Sequence, residues 1–220
     1  MTALAFLGGT GPEGLGLAQR FAAAGQPVLI GSRVAARAVA AAETIRAAVP
    51  GADARGYENL DALARTDRVA LSFPFAGLRN FLQAAGARLA GKLVIDVIVP
   101  LTFRAGLFEV APLDGAPSAG ELIQQAVPGA RVVSAFKNLS ADLLCDLSRP
   151  LEGDVVLCGN DASARAAVAA LVALLPGLRA VDAGAIANAR YLEAITALLL
   201  NLNRKHRVRT SIAIVGLPSR

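Results

Sequence analysis

A chain of 220 residues, 55% of them hydrophobic and 18% charged, is long enough to bury a core without disulfide or metal staples. Its net charge of +5 is carried mostly by Arg204, Lys205, Arg207 and Arg209, a local patch and not the distributed basic face of a duplex-binding protein, so no nucleic-acid partner is expected. Cys145 and Cys158 make no disulfide framework and no basic, apolar leader opens the chain, which points to a reducing cytoplasm; the apolar run Ala166 to Leu175 stops at Pro176, short of the ~18 residues of a membrane span, so no membrane partner is expected.

The first half alternates short apolar runs with helical patterns, the signature of β-α-β units around a parallel sheet. "LAFLGG" reads as a strand, "GLGLAQRFAAAG" as a helix stopped by Gly25, and "PVLIGS" as a second strand. An Ala-rich helix follows from about Val34 to Val49, then the strand "RVALSFP", a helix around Leu78 to Gly86, and the strand "KLVIDV". Beyond Pro100, "PLTFRAGLFEVAPLDGAPSAG" scatters Pro and Gly without a steady period and reads as a long loop, a kind that is usually functional or mobile. A helix begins near Ser118, with Glu121 completing a capping box. The strands "RVVSAF" and "DVVLCG", the helix "NDASARAAVAALVALLPG" and the strand "LRAVDAG" come next. A last apolar helix, about Asn188 to Asn203, ends in the basic cluster, where cations suit the helix dipole. The expected fold class is α/β: a Rossmann-type doubly wound, mainly parallel sheet. Residues 1–150 form its nucleotide-binding domain, and residues 151–220 a small C-terminal helical subdomain that completes the sheet and a cleft for a second ligand.

Gly9-Thr10-Gly11-Pro12-Glu13-Gly14 is a GxGxxG sequence with a strand before it and a helix after it, the context that gives the motif its meaning. Gly9 is expected to permit a tight turn, Gly11 to let the backbone approach a pyrophosphate, and Gly14 to allow close helix-strand packing, while the helix N-terminus offers free N–H groups to phosphate; a glycine-rich turn with no ligand is the alternative. The nucleotide is chosen at the end of the second strand. A site for NAD usually places a carboxylate there, whereas this chain has Ser32 and Arg33, with Arg37 one helical turn on. Ser32 can donate to a 2′-phosphate and the two guanidinium groups can pair with its charge, so NADP(H) is the expected dinucleotide; for Arg37 alone a solvated helix face is the plain alternative.

Phe73 and Pro74 leave the next central strand as candidates to wall the nicotinamide, with an ordinary strand exit as the alternative, and "VIVP", with Val99 as a further cofactor-binding candidate, ends the following strand in a similar way; both turns are expected to face one crevice. In "VVSAFKNLSADLL", Ser134, Lys137, Asn138 and Ser140 are candidate donors to a second ligand, with a capped turn leading into a helix as the alternative. His206, the only histidine, sits inside the basic cluster and reads as a member of the charge patch before it reads as an acid or base. No catalytic triad and no metal-ligand spacing can be built. Hydride transfer needs neither, because it requires two ligands held face to face.

These blocks, in this order, resemble the NADPH-dependent reductases of the deazaflavin coenzyme F420. "FLGGTGPEGLGLAQRFAAAGQPVLIGSR" is similar to that family's opening block, and "PSAGELIQQAVPGARVVSAFKNLSADLL", "VLCGND", "LRAVDAGAIANARYLEAITALLLNLNR" and "IAIVGLP" to its later ones. The resemblance implies that the glycine turn, Thr10, Ser32 and Arg33 hold NADP, with Arg37 near the 2′-phosphate. It implies reversible hydride transfer between C4 of NADPH and C5 of the deazaflavin, in a cleft between a Rossmann domain and a small C-terminal domain, with no catalytic side chain beyond those that position the ligands. It also implies a homodimer, and a basic field for the anionic deazaflavin tail at Arg204 to Arg209. The stretch "RKHRVRT" departs from the family's pattern, which keeps two further readings open: reduction of another small acceptor, a flavin or a pterin, and a non-catalytic NADP-binding redox sensor.

Overall fold

The computed structural model describes residues 2–217; Pro218, the last residue of the block "IAIVGLP", lies outside them. The strands are β1 (Leu4–Leu7), β2 (Val28–Ser32), β3 (Ala54–Glu58), β4 (Arg68–Leu71), β5 (Leu93–Asp96), β6 (Leu101–Arg104), β7 (Leu107–Val110), β8 (Arg131–Ser134), β9 (Gly153–Gly159) and β10 (Leu178–Asp182). The helices are α1 (Pro12–Ala23), α2 (Ala35–Ala48), α3 (Asn59–Ala64), α4 (Leu78–Ala85), α5 (Ala119–Ala126), α6 (Ala141–Cys145), α7 (Ala162–Val172) and α8 (Ala189–His206). Eight strands form one sheet in the order β10-β9-β8-β5-β4-β1-β2-β3. Every pairing in it is parallel except β8 with β9.

Strand alternation splits the core into two layers, one on each face. Leu4 and Phe6 of β1, with Val28 and Ile30 of β2, pack against Leu17 and Phe21 of α1, Ile45 of α2 and Val168 of α7. Ala5, Leu7 and Leu29, from the same strands, pack on the opposite face with Leu63 of α3, Leu78 of α4, Ile123 of α5 and Leu192 of α8. The strand ends at Leu7, Ser32, Leu71 and Asp96 therefore open on one edge, where the crevice of such a sheet lies. The doubly wound, mainly parallel sheet agrees with the expectation. Residues from 153 onward enter the same sheet through β9 and β10.

Three local readings are corrected. The stretch after Pro100 is not a plain loop but holds the antiparallel hairpin β6-β7, closed by Ala105 (φ 48) and Gly106 (φ 85). Two left-handed residues in succession make the turn whose twist matches a hairpin, and alanine at the first position hides the usual Asn-Gly signature. Edge strand β3 and helix α3 are additional; their sequence "ARGYENLDALA" lacks apolar alternation because β3 buries only Ala54 fully. Gly56 is fixed there by α2, since a Cβ would fall 2.2 Å from the Ala38 carbonyl carbon. Finally, α8 runs through His206, so Arg204, Lys205 and His206 form its last turn before Arg207 (φ 56) ends it.

Candidate functional site

The glycine turn joins β1 to α1. The left-handed residue is Gly8 (φ 75), not Gly9, and a side chain on Gly8 would strike Phe73. Gly9 serves close packing: its Cβ would lie 2.7 Å from the Phe6 carbonyl oxygen. The Gly8 amide donates to Asn59 Oδ1 at 3.1 Å, so α3, unseen in the sequence, holds the turn. Gly11 caps α1 in an ordinary extended conformation (φ −79, ψ 161) with no side-chain cap, and Pro12 follows at the first helical position. The amides of Glu13 and Gly14 consequently have no partner within the helix and suit an anion. Thr10 is exposed beside them.

Gly14 has the expected packing role. A Cβ there would fall 2.4 Å from Ser72 Oγ and 2.9 Å from Gly9 Cα, against a serine whose hydroxyl donates to the Leu7 carbonyl at 3.1 Å. Gly14→Ala is therefore expected to cost roughly 1–3 kcal/mol of stability by overpacking, read as a fall in melting temperature; an unchanged Tm contradicts the contact.

Glu13 is half-buried, and its Oε1 is covered with no hydrogen-bond partner. Burial pushes its pKa up to about 8. The folded state thus keeps a proton that the unfolded chain releases near pH ~4.3, and stability is lost as pH rises through that window to about 8. Glu13→Gln is expected to be more stable than the parent at pH ~9 by roughly 2–4 kcal/mol, and equal to it near pH ~4. The α1 dipole, worth about 0.3–1 kcal/mol to the ionised form, trims the gap. Urea melts at both pH values check it, and a gap independent of pH contradicts it.

At the end of β2, Ser32 is buried with its hydroxyl accepting from the Val34 amide at 3.3 Å. Arg33 and Arg37 are exposed. Unlike Arg20, Arg55, Arg165 or Arg179, neither forms an ion pair or side-chain hydrogen bond among the described residues. Two uncommitted guanidinium groups beside a hydroxyl fit a 2′-phosphate. Gly11 fits a pyrophosphate, because the nearest atom to a Cβ there is the Gly8 carbonyl oxygen at 3.9 Å and the space beyond is open.

From the glycine turn a cleft of about 710 Å³ runs between the strand ends and α8. Gly11, Pro12 and Glu13 line one end, Ser72 to Phe75 and Val97 to Val99 one wall, and Thr196, Leu199, Leu200 and Asn203 of α8 the other. Phe73, Pro74 and Val99 thus share the crevice expected for them. The hairpin adds Leu101 and Phe108. It is fixed on α8 by Asn201, which accepts from the Phe108 amide at 2.8 Å and donates to its carbonyl at 2.9 Å. Arg204 and Arg209 reach the same cleft, Arg204 over the Phe103 ring at 4.7 Å and Arg209 bonded to Asp142 at 2.6 Å. His206 is exposed outside it.

Lys137 and Asn138 depart from the expectation. Their residues border the cleft, but both side chains are buried and turn inward. Lys137 Nζ meets Asp96 Oδ2 at 2.7 Å, Glu193 Oε1 at 3.1 Å and the Ile98 carbonyl, which accounts for all three ammonium protons. Asn138 Nδ2 donates to the Asp154 carbonyl at 2.8 Å. Ser134 is also internal, donating to Asp96 Oδ2 at 2.6 Å, whereas Ser140 does line the cleft. Asp96 and Glu193 give no signal in the sequence, where each looks like an ordinary polar residue at an element boundary or on a helix.

Comparison with known proteins places the chain in a family. Residues 3–100 match the family model described as NADP oxidoreductase coenzyme F420-dependent. The chain is 38% identical to the F420-dependent NADP reductase of Methanocaldococcus jannaschii, over 97% of this chain and 98% of that one. It is 36% identical to the enzyme of the same name from Methanothermobacter marburgensis, over 98% and 99%. A solved structure from Arthrobacter sp. FB24, described as a presumed F420-dependent NADP reductase, superposes with a TM-score of 0.82 at 29% identity, covering 99% of this chain and all of that one. With this identity sustained from end to end, the chain belongs to the family of F420-dependent NADP reductases.

Proposed function

We propose that this protein transfers hydride reversibly between NADP(H) and the deazaflavin coenzyme F420. The observation that carries the reading is the 38% identity to a reductase of that name over nearly the whole of both chains. When bound, NADPH supplies the hydride and the deazaflavin accepts it. The chain's own part is placement and exclusion of water. The first-turn amides of α1 and the bare Gly11 hold the pyrophosphate. Ser32, Arg33 and Arg37 hold the 2′-phosphate. Phe73, Pro74 and Val97 to Val99 wall the ring from the sheet side, and Leu199 and Leu200 wall the second ring from α8. Arg204 and Arg209, already at the cleft, supply the field for an anionic tail.

No side chain at the cleft is asked to act as a general acid or base. A homodimer belongs to the same proposal, supported by Tyr191 and Leu198, exposed on α8 at 61% and 56%; light scattering that reads one chain's mass contradicts it. Among the described residues no helix is long and apolar enough to cross a membrane. A cytoplasmic location is part of the reading and is supported by two unpaired thiols at Cys145 and Cys158. The activity is tested by mixing the purified protein with NADPH and F420: the deazaflavin absorbance is expected to bleach as NADPH is consumed, and bleaching with flavins or pterins but not F420 overturns the choice of acceptor.

A further inference from the structure

The buried charges around Lys137 lie directly beneath the cleft, and the ligand-holding groups do not use them. Lys137, Asp96 and Glu193 are all under 5% exposed. Asp96 gathers three donors: Lys137 Nζ at 2.7 Å, the Ser134 hydroxyl at 2.6 Å and the Ile98 amide at 3.0 Å. Glu193 Oε1 accepts from Lys137 at 3.1 Å and from the Ala119 amide, at the start of α5, at 2.9 Å. Its Oε2 has no partner. Burial pushes the Glu193 carboxyl up, with Lys137 opposing it; burial also pulls against the charge of Lys137, but the two carboxylates outweigh it and hold the ammonium charged.

Such a cluster is a poor way to gain stability, because an apolar trio of the same volume generally does as well. What it adds is direction. Ile98, in the irregular turn leaving β5, has its N–H held by Asp96 and its C=O held by Lys137, and Ile98 lines the cleft. On the other side Lys137 is tied to α8 twice, by its side chain to Glu193 and by its carbonyl to the Thr196 hydroxyl at 2.9 Å. Thr196 lines the opposite wall. One residue therefore joins the sheet wall to the helix wall, across the gap in which two rings must stack.

We propose that Lys137 is a positioning residue that fixes the separation of the two cleft walls and thereby the distance over which hydride moves. The proposal rests on the activity stated above. It implies that the clamp affects the transfer step and leaves the grip on NADPH, made at the far end by the glycine turn and the arginines, unchanged.

The test compares Lys137→Met and Glu193→Gln with the parent in single-turnover hydride transfer, NADPH titration and amide hydrogen exchange. Lys137→Met is expected to slow transfer about tenfold to a hundredfold, as misplacement by a fraction of an ångström to one ångström does. NADPH affinity should stay within about twofold of the parent, because the phosphate contacts are untouched. Amides of residues 97–99 and 193–200 should lose protection while those of α1 keep theirs. Glu193→Gln, which retains the Oε1 acceptor, should keep most of the parent's rate. A Lys137→Met rate equal to the parent's overturns the proposal, as does a loss of NADPH affinity that matches the loss of rate. If Lys137→Met does not fold, Glu193→Ala takes its place: it leaves the Lys137 pair with Asp96 intact, removes the side-chain tie to α8 while the Thr196 hydroxyl stays on the Lys137 carbonyl, and carries the same expectation, so parental transfer and exchange in that variant overturn it. A parent protein that passes no hydride to F420 refutes the activity instead, and the exchange pattern then still decides whether the clamp exists.

Discussion

Valine in place of Gly11 is expected to weaken NADPH binding by about a hundredfold or more, equivalent to about 2.8 kcal/mol, in a protein that melts where the parent does. Both halves of the result follow from local geometry. Gly11 is extended (φ −79, ψ 161), a conformation any residue adopts, and a Cβ there meets nothing closer than 3.9 Å. The fold therefore has no need of glycine at this position. The ligand does, because a pyrophosphate reaches the free amides of Glu13 and Gly14 only if the backbone in front of them is bare. Gly14 is the reverse case, required by the packing of α1 against Gly9 and Ser72, just beyond β1 and β4. NADH should suffer as much as NADPH in Gly11→Val, since both carry the pyrophosphate. Isothermal titration with each dinucleotide reads the effect, and an unaltered affinity would make the glycine turn a turn only.

Arg33→Ala is expected to separate the two dinucleotides. Its guanidinium has no partner among the described residues, so truncation removes no internal contact and Tm should hold. A charged hydrogen bond to phosphate is worth about 1.5–3 kcal/mol when sheltered and less when exposed. Arg33 is exposed, so the loss for NADPH should be near tenfold, about 1.4 kcal/mol, with NADH unaffected. Equal losses for the two would refute the role at the 2′-phosphate. Removing Arg37 in addition should deepen the loss for NADPH alone.

The sequence and the structure agree most where one short stretch carries both the backbone geometry and the chemistry. The Ser118-Glu121 cap and the close packing at Gly14 are of this kind: Ser118 Oγ accepts from the Glu121 amide at 3.2 Å, as its spacing announces. Sequence and structure part where the informative partner lies far along the chain. Lys137 follows a strand in a polar turn and looks like a ligand donor. Only the fold shows that its ammonium points inward, to Glu193, 56 residues away, and to Asp96. Asn59 is invisible for the same reason, since its bond to the Gly8 amide spans 51 residues. The hairpin is hidden by its chemistry: Ala105 adopts a left-handed conformation that sequence patterns reserve for Asn, Asp or Gly. Strand β3 is hidden because an edge strand with one fully buried residue has no alternation to display.

The central claim is that the cleft brings two rings together and passes hydride directly from one to the other, with no proton-exchanging group of the protein between them. NADPH deuterated at the transferable C4 position, mixed with F420 and the protein in ordinary water, tests it in a single measurement by mass spectrometry of the reduced deazaflavin. The account predicts that the deuterium is retained in the product. Reduced deazaflavin that carries only solvent hydrogen, or no reduced deazaflavin at all, would contradict it.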